Sequence, residues 1–327
     1  MNETAVLNPA DLPLSAAVVI GRCRHRAQRC LEALAAQQDA AGIELIVVDL
    51  APDGVPPLTL PPPEACASVR YLRPPLPLRM SEARALAVRE ARGDVIAFIE
   101  DHCFPAPDWS TAIRTAFTEG DWAAVGYAFT CDNPRTYTSR ACMTADYGMF
   151  IHPCPRGTRT HLPGNNVAYR TAELRAMGAR LEPLLSPDFV IHDHFRRQGR
   201  LLFLESRALA AHQNPEHLGP MLAANYYYCR LLADRRATTQ EWTPLRRVFY
   251  GLAALPAAPV IKLVRMARQC GSDPGKRARL AAALPVVAIT FAVSAVGESL
   301  GYLLGAGDAG RHFDWYELNA ERVMHTE

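Results

Sequence analysis

From residue 16 onward the apolar residues fall into short unbroken runs separated by longer stretches with helical spacing. Ala16-Ala17-Val18-Val19-Ile20 is the first run and ends at Gly21; Glu44-Leu45-Ile46-Val47-Val48-Asp49 is the second. Val69-Arg70-Tyr71-Leu72 and Val95-Ile96-Ala97-Phe98-Ile99 follow as third and fourth. Between them, residues 24–39 place Cys30, Leu31, Leu34 and Ala35 on one side of a helix, and 81–92 is an Ala-rich helix ending near Gly93. Pro56 to Pro63 is Pro-rich and reads as an extended, exposed loop. Buried strands alternating with helices predict an α/β fold, a mostly parallel sheet flanked by helices on both faces. After residue 105 the pattern predicts a helix over 107–117, a strand from Trp122 to Tyr127, helices over 171–178 and 188–198, and a strand from Leu201 to Leu204. Tyr226 to Arg236 reads as helix, and residues 130–163 carry no clear periodicity.

The last third changes character. Val248 to Ile261 is apolar but contains Pro256 and Pro259. Leu280 to Gly297 runs eighteen residues without a charge, which is about 27 Å of helix at ~1.5 Å per residue and long enough for a membrane-span candidate. Lys262, Arg265, Arg268, Lys276, Arg277 and Arg279 lie between the two segments against a single acid, Asp273. If both segments crossed, this basic loop would lie on the far side from the α/β domain, against the positive-inside tendency. The expectation is therefore a first segment lying in the interface or re-entrant, and at most one true span. This divides the chain into a tail (1–14), an α/β domain (15–236), membrane-associated helices (237–307) and a C-terminal tail (308–327).

Composition narrows the function classes. Apolar residues make up 49% and charged residues 21%, which excludes wholesale disorder. A net charge of +2 gives no global field for nucleic acid. The nine cysteines include no CxxC pair, as expected of reduced thiols in a cytosolic protein. Met1 to Leu14 contains Glu3 and Asp11 and no apolar run, so it does not read as a secretory signal. The first strand is followed by Gly21-Arg22-Cys23-Arg24-His25, with one glycine; this argues against a Gly-rich phosphate loop, and hence against a nucleotidyltransferase or a dinucleotide-binding dehydrogenase.

Four segments carry a resemblance when taken in order. They are Val18-Val19-Ile20; Ile46-Val47-Val48-Asp49 followed by Asp53-Gly54; Ala91-Arg92-Gly93-Asp94 leading into Val95 to Ile99 and Glu100-Asp101-His102, with Pro105 and Trp109 behind; and Pro163-Gly164-Asn165-Asn166-Val167-Ala168-Tyr169-Arg170. Together, across roughly residues 15–235, they resemble family-2 glycosyltransferases of the GT-A fold, and the tail, with Gly297-Glu298 and Gly301-Tyr302-Leu303-Leu304-Gly305, resembles the membrane-associated end of some bacterial members. The resemblance implies transfer of a sugar from a nucleotide-sugar donor to an acceptor. With the membrane segment, it implies a lipid-linked or envelope-glycan acceptor, and a place at the cell inner membrane with the catalytic domain cytoplasmic. Glu100-Asp101-His102 stands where the family carries Asp-x-Asp, which implies a divalent metal, Mn²⁺ or Mg²⁺, on Glu100 and His102. An imidazole at the last position suits Mn²⁺ or softer ions better than Mg²⁺. His212 matches a position where a family histidine reaches the metal or diphosphate. Asp49, Glu100, Asp101, Asn165, Asn166 and Arg230 are the implied nucleotide-sugar contacts. Counting back from Gly199 places Asp188 at the position of the inverting base, with Asp193, between His192 and His194, as competitor. Cys103 beside His102 raises zinc, but with no second Cys or His at ligand spacing it is set aside. A catalytically silent GT-A module that binds glycan or scaffolds is the second reading, supported by the altered triplet and by Pro187 in place of the family's Glu.

Overall fold

The computed structural model describes residues 12–62, 64–187 and 189–322. The chain divides into two compact units: the described residues up to Thr130 with His152–His212, and Cys131–Ile151 with Gln213 onward.

The first unit opens with β1 (Leu14–Ile20), α1 (Arg24–Ala35), β2 (Ile43–Asp49), β3 (Ser68–Leu72), α2 (Met80–Glu90) and β4 (Val95–Phe98). It continues with β5 (Cys103–Pro105), α3 (Trp109–Glu119) and β6 (Trp122–Cys131), whose last residue already belongs to the second unit, as does α4 (Tyr137–Tyr147). Then come β7 (Gly157–Arg159), β8 (Val167–Arg170), α5 (Thr171–Ala176), α6 (Leu181–Leu184), α7 (Phe189–Arg197) and β9 (Leu201–His212). Among the described residues, nine strands join one sheet in the order β3-β2-β1-β4-β8-β6-β9-β5, with β7 paired to β9. The β3-β2-β1-β4 half is parallel, as the strand–helix alternation requires. The other half contains antiparallel pairs β4–β8, β6–β8 and β5–β9, so the sheet as a whole is mixed.

Every residue of β2 is buried, the mark of a strand covered on both faces. Glu44 at its start receives Ser15 Oγ at 2.5 Å and the Arg92 amide at 2.6 Å, and the Gly93 amide donates to Ser15 Oγ at 2.8 Å. This network ties the entry of β4 to β1 and β2. It thereby fixes the register at which β4 delivers Glu100 beyond its carboxyl end, where open α/β sheets bind ligands.

The second unit is helical: α4, α8 (Leu218–Thr239), α9 (Pro244–Cys270), α10 (Pro274–Leu304) and α11 (Ala309–Asn319). Two of these correct the sequence reading. Residues 137–147 form α4 within the stretch that showed no periodicity, and 309–319 form α11 where a tail was expected. Ala141 and Cys142 of α4, Met221 of α8, and Ala283, Val286, Val287 and Phe291 of α10 share one core. Trp242 stacks on Tyr302, with ring centroids 5.1 Å apart. A Cβ added at Gly297 or Gly301 of α10 would run into the carbonyl oxygens of Tyr226 and Arg230, so α8 and α10 meet backbone to backbone. Pro256 and Pro259 leave α9 a continuous helix. Asp273 caps α10, accepting from the amides of Gly275 (2.9 Å) and Lys276 (3.0 Å). Both α9 and α10 are long and apolar enough to cross a membrane, with mean hydropathy 1.4 and 2.2. Only 11% of the apolar window of α9 is buried, and Leu245 (80% exposed) and Phe249 (66%) face outward.

A candidate metal and nucleotide-sugar site at the end of β4

Glu100-Asp101-His102-Cys103 is a tight turn, closed by the Cys103 amide donating to the Glu100 carbonyl at 2.9 Å. It leads directly from β4 into β5. In the antiparallel β5–β9 pair, Cys103 lies directly opposite His212. Turn and register together gather Glu100, His102, Cys103 and His212, whose ligand atoms all lie within 4.8 Å of one another. Glu100 Oε2 is the common vertex: His102 Nε2 is 3.5 Å away, His212 Nε2 3.8 Å and Cys103 Sγ 3.8 Å. The two imidazoles meet edge to face, with centroids 4.9 Å apart. His102, Cys103 and His212 are buried and Glu100 is partly exposed.

The surrounding residues orient these side chains. Asp101 Oδ1 accepts from His102 Nδ1 at 3.0 Å, which turns Nε2 toward Glu100. A carboxylate holding the far nitrogen of an imidazole is the usual support of a metal-ligating histidine. Asp101 is fixed in turn by buried Arg26, whose Nε donates to Oδ2 at 3.1 Å. Asn165 Nδ2 donates to Glu100 Oε1 at 2.8 Å and Asn166 Nδ2 to Oε2 at 2.6 Å, while the Glu100 amide donates to Asn166 Oδ1 at 3.0 Å. Asn165 takes a left-handed backbone conformation (φ 62°), one that asparagine tolerates better than most residues. A nitrogen lone pair and a carboxylate oxygen facing each other at 3.5 Å, with a thiol and a second imidazole alongside, fit a divalent cation among them.

The structure thus brings together Glu100, His102 and His212 of the sequence-derived set. Others of that set make protein contacts of their own. Asp101 and the two asparagines, expected to touch sugar or ribose, face His102 and Glu100. Asp49, expected to accept from the base or ribose, is fully buried. Its oxygens take both Arg24 Nη1 (3.0 Å) and Nη2 (2.8 Å), the Tyr71 hydroxyl and the Ala51 amide (2.9 Å). Burial pushes the Asp49 carboxyl up, but hydrogen bonds from Arg24, Tyr71 and Ala51 outweigh it and hold the pKa below its ordinary value. Arg230 lies in the second unit, where its Nε donates to the Gly305 carbonyl at 3.0 Å and Nη1 to the Tyr226 hydroxyl at 3.4 Å. It braces the end of α10. Asp193 pairs with Arg196 at 3.1 Å on a solvent-reaching face of α7. Asp188 lies outside the described residues. Cys103 is the residue that sequence reasoning set aside. Its partner histidine stands across a strand pair rather than nearby in sequence, and only the register reveals it.

The profile of the family described as Glycosyl transferase family 2 matches residues 15–181. Among solved structures, the mannosyltransferase PcManGT from Pyrobaculum calidifontis, in complex with GDP-Man and Mn²⁺, superposes with a TM-score of 0.58. Its identity is 16%, over 91% of this chain and 89% of that one. Staphylococcal (S. aureus) TarS 1–349 in complex with UDP gives 0.47 at 12% identity, over 85% of this chain and 90% of that one. Glucosyl-3-phosphoglycerate synthase from Mycobacterium tuberculosis, with Mn²⁺, UDP and glucosyl-3-phosphoglycerate, gives 0.44 at 16% identity over 70% and 80%. No curated protein matches the sequence. At such identities the first of these likenesses speaks for the fold alone. The family profile, by contrast, spans just over half of the sequence and takes in β1 through β8 with the whole Glu100–Cys103 turn, so the chain belongs to glycosyl transferase family 2 and is a glycosyltransferase.

Proposed function

We propose that the first unit transfers a sugar from a nucleotide-sugar donor to an acceptor hydroxyl with inversion, and that the second unit holds the chain at a membrane, where the acceptor is lipid-linked or an envelope glycan. The observation that carries this reading is the cluster of Glu100, His102 and His212 at the carboxyl end of β4 in a family-2 chain. The PcManGT structure, which holds GDP-Man and Mn²⁺ on a related fold, supports it. Glu100, His102 and His212 would hold a divalent ion, which would supply positive charge against the departing diphosphate. One carboxylate and two imidazoles suit Mn²⁺ better than Mg²⁺. Asp188 takes the proton from the acceptor hydroxyl as its oxygen attacks the anomeric carbon and the bond to the diphosphate breaks. The irregular 130–163 region is assigned to acceptor choice, a reading supported by His161 packing beside Phe189 with ring centroids 5.6 Å apart. On the nucleotide side, Asp49 acts by holding Arg24 and Tyr71 at the carboxyl edge of β2.

The membrane reading rests on the outward apolar face of α9 and on α10. Between Arg247 and Lys262, α9 offers fourteen uncharged residues, about 21 Å of helix and short of the ~30 Å hydrocarbon core. Flanking arginines and lysines suit a helix lying in the interface. That leaves α10 as the one candidate span, with the first unit on the cytoplasmic side where activated sugars are made.

Calorimetric titration of the full chain with a panel of nucleoside diphosphates, with and without Mn²⁺ or Mg²⁺, tests the donor half. Metal-dependent binding of one diphosphate is expected and names the base. Absence of binding to every one of them in all conditions overturns the reading in favour of a silent glycan-binding or scaffolding module.

A further inference from the structure

Donor chemistry at the end of β4 goes beyond a carboxylate pair. Cys103 adds a sulfur to Glu100, His102 and His212, and no donor of the set is farther than 4.8 Å from any other. Metal–ligand bonds of ~2.0–2.3 Å at tetrahedral angles put ligand atoms about 3.3–3.6 Å apart. The three edges meeting at Glu100 Oε2 measure 3.5, 3.8 and 3.8 Å. They therefore lie within a few tenths of an ångström of closing on a small ion. Cys103 is held there by backbone: its amide closes the turn and its strand partner is His212 itself. Asn165, Asn166 and Asp101 fix the carboxylate and one imidazole.

We infer that Cys103 is a thiolate ligand and that this site retains a thiophilic divalent ion of the Zn²⁺ or Co²⁺ class in the absence of nucleotide. On binding, the S–H bond breaks, the sulfur bonds to the metal and the proton leaves to solvent. Mg²⁺ is ordinarily bound through one or two carboxylates together with substrate phosphates. Four protein donors including a sulfur need no phosphate, and sulfur and imidazole discriminate against Mg²⁺. The near-complete burial of His102, Cys103 and His212 favours slow release. The inference rests on the transferase reading only in placing the ion where a diphosphate departs.

Cobalt provides a readout independent of activity. Metal-free full-length protein, kept reduced and without nucleotide, is titrated with Co²⁺ and followed by absorption, with bound metal measured by equilibrium dialysis. One bound equivalent is expected, with tetrahedral d–d bands and a thiolate-to-cobalt charge-transfer band, unaffected by excess Mg²⁺. Cys103→Ser is expected to lose the charge-transfer band, with affinity falling more than about tenfold, at least the loss typical of an outer-shell partner. Cobalt bound without a charge-transfer band, a band that persists in Cys103→Ser, or no cobalt retained would each overturn the inference. Should that variant not fold, the wild-type spectrum together with His212→Gln, which must weaken the d–d bands, decides the matter. Sugar transfer supported by Mg²⁺ in a chain with no sulfur–cobalt band removes the inference and keeps the function. The band in a chain that binds no nucleoside diphosphate keeps the inference and removes the function.

Discussion

Replacing Asn166 by Ala is the most informative single change, because this side chain makes two hydrogen bonds to one residue and is fully buried. Its Nδ2 donates to the Glu100 carboxylate at 2.6 Å, and its Oδ1 accepts from the Glu100 amide at 3.0 Å. A bond to a charged acceptor contributes about 1.5–3 kcal/mol and a neutral one about 0.5–1.5 kcal/mol, so the loss is about 2–4.5 kcal/mol. Water entering the small void lowers that figure, since the carboxylate keeps Asn165 on its other oxygen at 2.8 Å. The same change frees Glu100 to rotate, and loss of such a support typically lowers metal affinity by about 10–100-fold. Urea denaturation of the metal-free protein measures the first quantity, and Mn²⁺ titration the second. A cycle with Glu100→Ala isolates the coupling, expected at about 2 kcal/mol, against at most ~0.5 kcal/mol for independent sites. If Asn166→Ala keeps both its denaturation midpoint and its Mn²⁺ affinity, or if the two changes simply add, then Asn166 does not hold Glu100 and the account of the site fails.

Asp188→Asn should abolish transfer in a radiolabelled-sugar assay and leave donor affinity by calorimetry within about twofold; normal turnover removes Asp188 from the base role. His192, buried and accepting or donating to the Tyr169 hydroxyl at 3.2 Å, has its pKa pushed down to about 3 by burial, with the nearby His161 adding to it. The unfolded chain then takes up a proton near pH 6.5 that the folded chain refuses, so this residue's contribution falls as pH drops from ~6.5 toward ~3, by at most about 1.4 kcal/mol per pH unit. His192→Gln should flatten that part of the stability–pH curve measured by denaturant titration; an unchanged slope refutes the buried neutral histidine. Glu substitutions at Leu245, Phe249 and Leu252, all exposed on α9, should move the chain from the pelleted to the soluble fraction in vesicle sedimentation while leaving the helical circular dichroism unchanged. Undiminished pelleting would remove α9 from the membrane contact.

Much of the first unit is legible in sequence for a simple reason. Strands such as β2 are buried on both faces, so Leu45-Ile46-Val47-Val48 reads as a run with no competing period. The partner order of later strands is not written locally. Nothing near Val167 says that β8 will lie antiparallel between β4 and β6, and the strand–helix alternation predicted parallel neighbours instead. Helix α4 escaped because its buried residues, Ser139, Ala141, Cys142, Met143 and Thr144, are small, sulfur-bearing or polar and leave a weak stripe. In the site, Glu100 and His102 stand in a contiguous motif and His212 at the end of a strand-like run. Asn165 and Asn166 were visible as residues, but their target was not, because the turn that aims them at Glu100 depends on a left-handed Asn165. Cys103 was passed over because ligand spacing along the chain is the wrong ruler for two donors facing each other across a strand pair.

That strand pair also sets the order in which the centre is built during synthesis. Residues 100–103 leave the ribosome about a hundred residues before His212 does, roughly 5–20 s at ordinary elongation rates. Until β9 is laid beside β5, the nascent chain holds a carboxylate, an imidazole and a thiol without the histidine that completes the group. A cation that preferred the complete group would act as a latch on sheet closure, adding stability in proportion to the logarithm of its free concentration. Metal supply during growth would then govern how much folded protein accumulates, before any sugar is transferred.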